Sequence, residues 1–91
     1  MIKIKRTLTV VNKLGLHARP ATQLASLAST FTADIIIEKD GKQASADSVL
    51  GIMMLEASQN KEVEVICEGE DAEKALDAVT DLFSAKFNES E

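Results

Sequence analysis

Two periodicities alternate along this chain, and their order leaves few architectures open. Ile2, Ile4, Leu8 and Val10 share one parity while Lys3, Lys5, Thr7 and Thr9 take the other, with Arg6 the single break. That is the pattern of a half-buried strand over about residues 2–11. Residues 12–17 read as a loop around Gly15. A helix follows, with Ala21, Leu24, Ala25, Leu27 and Ala28 at helical spacing, Pro20 in its first turn and Phe31 closing it onto the core. A second strand spans about 33–39. Asp40-Gly41 is a hairpin signal, and a short polar strand follows at about 42–46. Asp47 or Ser48 is placed to cap a short helix that runs to about Leu55. Val63, Val65 and Cys67 alternate with Glu62, Glu64 and Glu68 in a fourth strand, which Gly69 breaks. Asp71 is placed to cap a last helix, whose apolar stripe is Ala72, Ala75, Leu76, Val79, Leu82 and Phe83. The order β-α-β-β-α-β-α, with one wet face on the strands, predicts an α+β domain with helices layered on one side of an antiparallel sheet.

With 91 residues there is room for one core, so residues 1–87 are expected to form a single domain and 88–91 a frayed polar tail. No apolar run follows the basic N-terminus, which points to a cytoplasmic chain without membrane insertion. The net charge of −5 argues against general nucleic-acid binding. The charge is uneven: Lys3, Lys5, Arg6, Lys13 and Arg19 lie in the first nineteen positions, while acidic residues dominate after Lys61. An anion would therefore sit near the N-terminal end, at Arg19.

Most reactive combinations are missing. There is no glycine-rich phosphate loop, no HExxH, no CxxC and no His/Cys cluster, so neither a metal nor a cofactor is expected. Cys67 falls at a core parity and reads as an inert buried thiol. His17, the only histidine, lies between a glycine loop and a helix N-terminus. Taken alone, such a histidine is usually structural or a solvent-exposed cap. Its setting suggests more. Free helix N–H groups and the Arg19 fork suit phosphate oxygens, and positive potential favours a neutral, nucleophilic imidazole. No acid or base near it in sequence would activate water, which suits a carrier better than a stand-alone hydrolase. The short helix around Val49–Leu55 is apolar nearly all round and cannot hide every side, which points to a partner surface.

Gly15-Leu16-His17-Ala18-Arg19-Pro20-Ala21 resembles the active-site signature of the HPr family, the histidine phosphocarriers of the bacterial phosphotransferase system. Gly41-Lys42 and Ala46–Met53 resemble its second signature, and Gly69–Leu76 the start of its last helix. The resemblance runs from the first strand to about Phe83. It implies a four-stranded antiparallel sheet of order 1-4-2-3 with three helices on one face, an open-faced β-sandwich. It also implies a phosphotransfer intermediate that takes phosphate from Enzyme I and passes it to an Enzyme IIA. His17 would be phosphorylated on Nδ1. Arg19 and the amides at Ala18 and Arg19 would hold the phosphate. Ser48 matches the site of a regulatory serine kinase in some members. Ala18, Thr22, Val49, Leu50, Gly51 and Met53 would form the docking surface of a monomeric carrier. Ser26, Ser29 and Gly51 stand where sugar-transport members often carry lysines, and the ending Asp81–Glu89 resembles the family's nitrogen-related paralogue. The expected branch is therefore nitrogen regulation, with sugar transport as the alternative. Two other readings, an inert regulatory homologue and an acylphosphatase-like hydrolase, fit less well, because the histidine is kept and sits at a helix start.

Overall fold

The alternation of the first segment becomes strand β1 (Lys3–Thr9) of the computed structural model, which describes residues 2–89. Helix α1 (Ala18–Ala28), strands β2 (Asp34–Lys39) and β3 (Lys42–Ser45), helix α2 (Val49–Met53), strand β4 (Glu62–Glu68) and helix α3 (Ala72–Ser84) follow, and a last single turn covers Lys86–Asn88. The sheet order is β1-β4-β2-β3, as the resemblance implied. β4 pairs antiparallel with β1 from Lys3↔Glu68 to Thr9↔Glu62, and with β2 from Asp34↔Glu68 to Glu38↔Glu64. Asp40 and Gly41 close the β2–β3 hairpin at φ 52° and 82°, the left-handed pair that a two-residue turn requires.

Side chains of one parity build the core. Leu8, Val10, Ile35, Ile37, Val63, Val65 and Cys67 meet Leu24 and Ala28 of α1, Ile52 of α2, and Leu76, Val79 and Phe83 of α3. The opposite sheet face carries Lys3, Lys5, Glu62 and Glu68 in solvent. Arg6, the break in the alternation, points to the helix side at the sheet edge. There its Nη1 donates to Thr80 Oγ1 at 2.7 Å and approaches Asp77 Oδ1 at 3.4 Å. β1 is an edge strand, so the guanidinium reaches past the core to α3 and stays wet.

Two local expectations differ from the structure. Asp71 stands at the start of α3 but makes no side-chain cap bond. Its carboxylate instead accepts from the Thr32 and Ala33 amides at 2.9 and 2.8 Å, tying the loop before β2 to α3. Gly69 lets these segments meet, since a Cβ there would lie 2.8 Å from Ala33 Cα. The other difference concerns the start of the tail. Lys86, Phe87 and Asn88 all adopt left-handed φ near 55–60°, and this turn carries Asn88 and Glu89 back against the domain. Phe87 is fully buried, its ring 4.9 Å from that of Phe83. Left-handed residues with a Cβ cost about 1–2 kcal/mol each, and burial of the Phe87 ring offsets much of that. Ser90 and Glu91 lie outside the described residues.

The Thr32 amide, followed by that of Ala33, holds the Asp71 carboxyl below its ordinary value of 3.8. A carboxyl lowered on folding contributes stability when ionised, and that contribution is lost as pH falls through the lowered value. Asp71→Asn is therefore expected to be less stable than wild type at pH 7. The gap should narrow as pH drops below about 4, as urea midpoints measured across pH would show.

Candidate functional site

His17 is placed by a loop with no freedom to move aside. Gly15 has φ 68°, and a Cβ on it would lie 2.5 Å from Ala57 O and 2.9 Å from Ser58 Cα. Only glycine permits that approach, and the next amide, Leu16 N–H, donates to Ala57 O at 2.9 Å. With Leu16 buried, His17 becomes the residue preceding α1, in extended conformation (φ −80°, ψ −169°). Its carbonyl accepts from Ala21 N–H at 3.0 Å, which starts the helix. Its imidazole does not cap that helix. The ring turns the other way, and Nε2 lies 2.9 Å from Glu89 Oε2, with the His17 side chain 34% exposed. Among the described residues Nδ1 has no hydrogen-bond partner.

Beside His17, the first turn of α1 offers unused donors. The Ala18 and Arg19 amides are too early in the helix for an intrahelical acceptor, and Pro20 has no N–H. Arg19 is exposed, and no acidic partner holds its guanidinium among the described residues. Two amides, a planar cation and an accessible imidazole nitrogen therefore share one helix end. A tetrahedral oxyanion would fit there, bound to nitrogen on one side and held by donors on the other. Cys67 takes no part. It is fully buried in β4, and burial pushes its thiol up to about 11.

The expected docking residues gather beside this end. α1 packs on α2. Ala18, Thr22, Leu50 and Met53 are exposed and Val49 is half-buried. Thr22 Oγ1 donates back to Ala18 O at 2.7 Å. Gly51 differs. Its missing side chain would point at Ser48 Oγ and Ala44 Cβ, at 2.9 and 3.2 Å, so it offers backbone rather than a side-chain position. Leu14 and Met54, which are not among the expected docking residues, are 68% and 65% exposed. The patch thus reaches both α2 and the loop before His17.

Asn12 and Glu89 were also missed as site residues. Asn12 is fully buried, and its Nδ2 donates to Gly15 O at 2.7 Å and to Glu89 Oε1 at 3.0 Å. Both partners are acceptors, which fixes the amide orientation. One signal for Asn12 was available: it continues the buried parity of Leu8 and Val10. None pointed to Glu89, which is 72 positions from His17.

The family model for the PTS HPr component phosphorylation site matches residues 4–85. The chain is 52% identical over 90 residues to phosphocarrier protein NPr of Shewanella violacea, covering 99% of each chain. It is 40% identical to phosphocarrier protein HPr of Xylella fastidiosa, over 94% of this chain and 97% of that one. Its fold resembles the crystal structure of HPr-C-His from Thermoanaerobacter tengcongensis, with TM-score 0.90, 43% identity and full coverage of both chains.

Ser48 can be tested without any phosphoryl chemistry. Its Oγ accepts from Gly51 N–H at 3.0 Å, so Ser48, not Asp47, caps α2. Asp47 bonds Ser45 Oγ instead, at 2.6 Å. Ser48→Ala is expected to lose about 1 kcal/mol of stability, read by urea denaturation.

Proposed function

The chain belongs to the HPr family of phosphotransferase-system phosphocarriers, and we propose that it accepts a phosphoryl group on His17 Nδ1 from an Enzyme I-type donor and passes it to an Enzyme IIA-type acceptor of the nitrogen-regulatory branch. One observation carries the choice of atom. Nε2 is occupied by Glu89, while Nδ1 is open beside the free N-terminus of α1. In the transfer the Nδ1 lone pair forms the new N–P bond. The bond from phosphorus to the donor's nitrogen breaks, and its electron pair returns to that nitrogen. Negative charge on the three equatorial oxygens is met by the Arg19 fork and the Ala18 and Arg19 amides. The reverse sequence discharges the group to the acceptor. The protein works in the cytoplasm as a single copy, so that one face meets donor and acceptor in turn. Leu14, Val49, Leu50, Met53 and Met54 are the apolar part of that face. Ser48 serves there as a cap rather than as a kinase target.

Incubation with Enzyme I and labelled phosphoenolpyruvate tests the carrier. Stoichiometric label that is acid-labile and alkali-stable is expected on wild type, with none on a folded His17→Ala. Arg19→Ala should slow labelling about 10²-fold without abolishing it. Rapid release of free phosphate would instead indicate a hydrolase, and label surviving in His17→Ala would move the site elsewhere.

Two observations support the nitrogen branch: the 52% identity to a relative named NPr, and a docking face whose two helices carry Arg19 as their sole cation. Ser26 on α1 and Ser29 just after it are both exposed. An acidic sugar-type acceptor would find little attraction there, which slows association more than it changes dissociation. Transfer to a nitrogen-type Enzyme IIA is expected to be faster than to a glucose-type one in rapid-quench measurements. Ser26→Lys with Ser29→Lys should narrow the difference, most at low salt. Gly51 is left out of that pair because its missing side chain faces the interior. Equal or faster transfer to the glucose-type acceptor would assign the protein to sugar transport.

A further inference from the structure

We propose that Glu89 is a positioning residue for His17, holding the imidazole with its proton on Nε2 and its lone pair on Nδ1, and that Asn12 holds Glu89 in turn. This rests on the reading of His17 as the phosphoryl acceptor and names what prepares it for that role. A carboxylate only accepts. The nitrogen 2.9 Å from Glu89 Oε2 must therefore carry the hydrogen, and in the neutral imidazole the lone pair is left on Nδ1. The second carboxylate oxygen, Oε1, accepts from Asn12 Nδ2 at 3.0 Å. With both oxygens engaged, the carboxylate cannot swing away from the ring without breaking two bonds.

The arrangement is built into the fold rather than left to a loose chain end. Three successive left-handed residues reverse the chain after α3, and Phe87 anchors the reversal in the core. Asn88 Nδ2 donates to Gln23 Oε1 of α1 at 3.2 Å, so the turn is fixed to the helix that begins at His17. The Glu89 side chain is left only 12% exposed, unusual for a glutamate at the end of a chain. Asn12 is the second observation. It is the one fully buried polar side chain among the described residues, and its Oδ1 has no partner there. An apolar residue would sit at that position more cheaply. What the amide supplies is the two N–H bonds, one to the loop that carries His17 and one to the carboxylate behind the ring.

The chemistry explains why such a carboxylate helps. When Nδ1 takes the phosphoryl group, no proton has to leave the ring. The Nε2–H stays, and the ring becomes a phosphorylated imidazolium with one more positive charge than before. Glu89 lies where that charge develops and is already oriented, so its attraction grows from the resting state to the transition state. The other tautomer would place the lone pair on Nε2, against the carboxylate, with nothing to accept the phosphoryl group.

The test compares wild type with Glu89→Gln and Glu89→Ala. A glutamine oxygen can accept from His17 or from Asn12 but not from both, and it carries no charge. In ¹⁵N-labelled protein, wild type should show a slowly exchanging, low-field His17 Nε2 proton and a pyridine-like Nδ1. Glu89→Ala should lose the slow exchange, and Glu89→Gln, whose oxygen can still accept from Nε2 at the expense of Asn12, should show it weakened. In labelling by Enzyme I, both should show kcat lowered about 10-fold, the lower end of what losing an orienting carboxylate behind a histidine costs. KM for Enzyme I should be unchanged, because Glu89 lies behind the ring rather than on the docking face. Circular dichroism of each variant checks that the fold is kept. If wild type takes label while the variants match its kcat or keep the Nε2 signature, Glu89 does not position the ring, and the carrier reading stands. If wild type takes no label, the carrier reading fails and the positioning role fails with it, whatever the ring proton shows.

Discussion

The double pairing of β4 determines where His17 sits. β4 is the last strand in sequence, yet it occupies the interior slot between β1 and β2. Its pairing with β1 continues beyond the regular ladder, where Val10 N–H donates to Lys61 O at 2.9 Å and Asn60 N–H to Val10 O at 2.7 Å. This lays the loop after β1 alongside the loop before β4. Gly15 permits the closest approach of the two, and the Leu16–Ala57 bond sets the residue that follows at the head of α1. A one-residue slip in the β1–β4 register would turn Val63, Val65 and Cys67 outward, so the core itself specifies the alignment. The position of the imidazole is thus a consequence of apolar packing some distance from it.

The parts of this structure set by local chemistry were legible in the sequence. β1 and β4 follow period-two alternation, the β2–β3 hairpin follows Asp40-Gly41, and the long helices follow their apolar stripes, with ends displaced by a residue or two. Asp71 shows where that logic stops. An aspartate before a helix reads as a cap, but here two amides from a distant loop compete for it and win, because Gly69 lets that loop come close. Arg6 is similar: its parity says inside, and only the edge position of β1 explains why it reaches α3 rather than the core.

The candidate site divides along the same line. His17 and Arg19 lie within one short motif, and the motif is what makes them candidates. Asn12 and Glu89 contribute through a turn that places three non-glycine residues in a left-handed conformation, which residue propensities argue against. It forms because Phe87 finds a place beside Phe83, a tertiary fact with no local signature. Leu14 and Met54 were not placed on the docking face for another reason. Exposure of a large apolar residue depends on what fails to cover it, and periodicity cannot report that.

A phosphoryl carrier faces a requirement that a hydrolase does not: its nitrogen–phosphorus bond must survive in water until an acceptor arrives. A carboxylate close to the phosphorylated ring is a hazard in that respect, since a free one can take a proton from an attacking water. Here both oxygens of Glu89 are already accepting, one from Asn12 and one from Nε2–H. Neither is presented to water on the Nδ1 side, where the phosphoryl group would stand. The first turn of α1, which His17 precedes, supplies donors, the Arg19 fork and two backbone amides, and a donor stabilises charge on phosphate oxygens without activating a nucleophile. In the proposed carrier the acceptor stands at Nε2 and the donors come from the first turn of α1, and that separation would favour transfer to a partner histidine over loss to solvent.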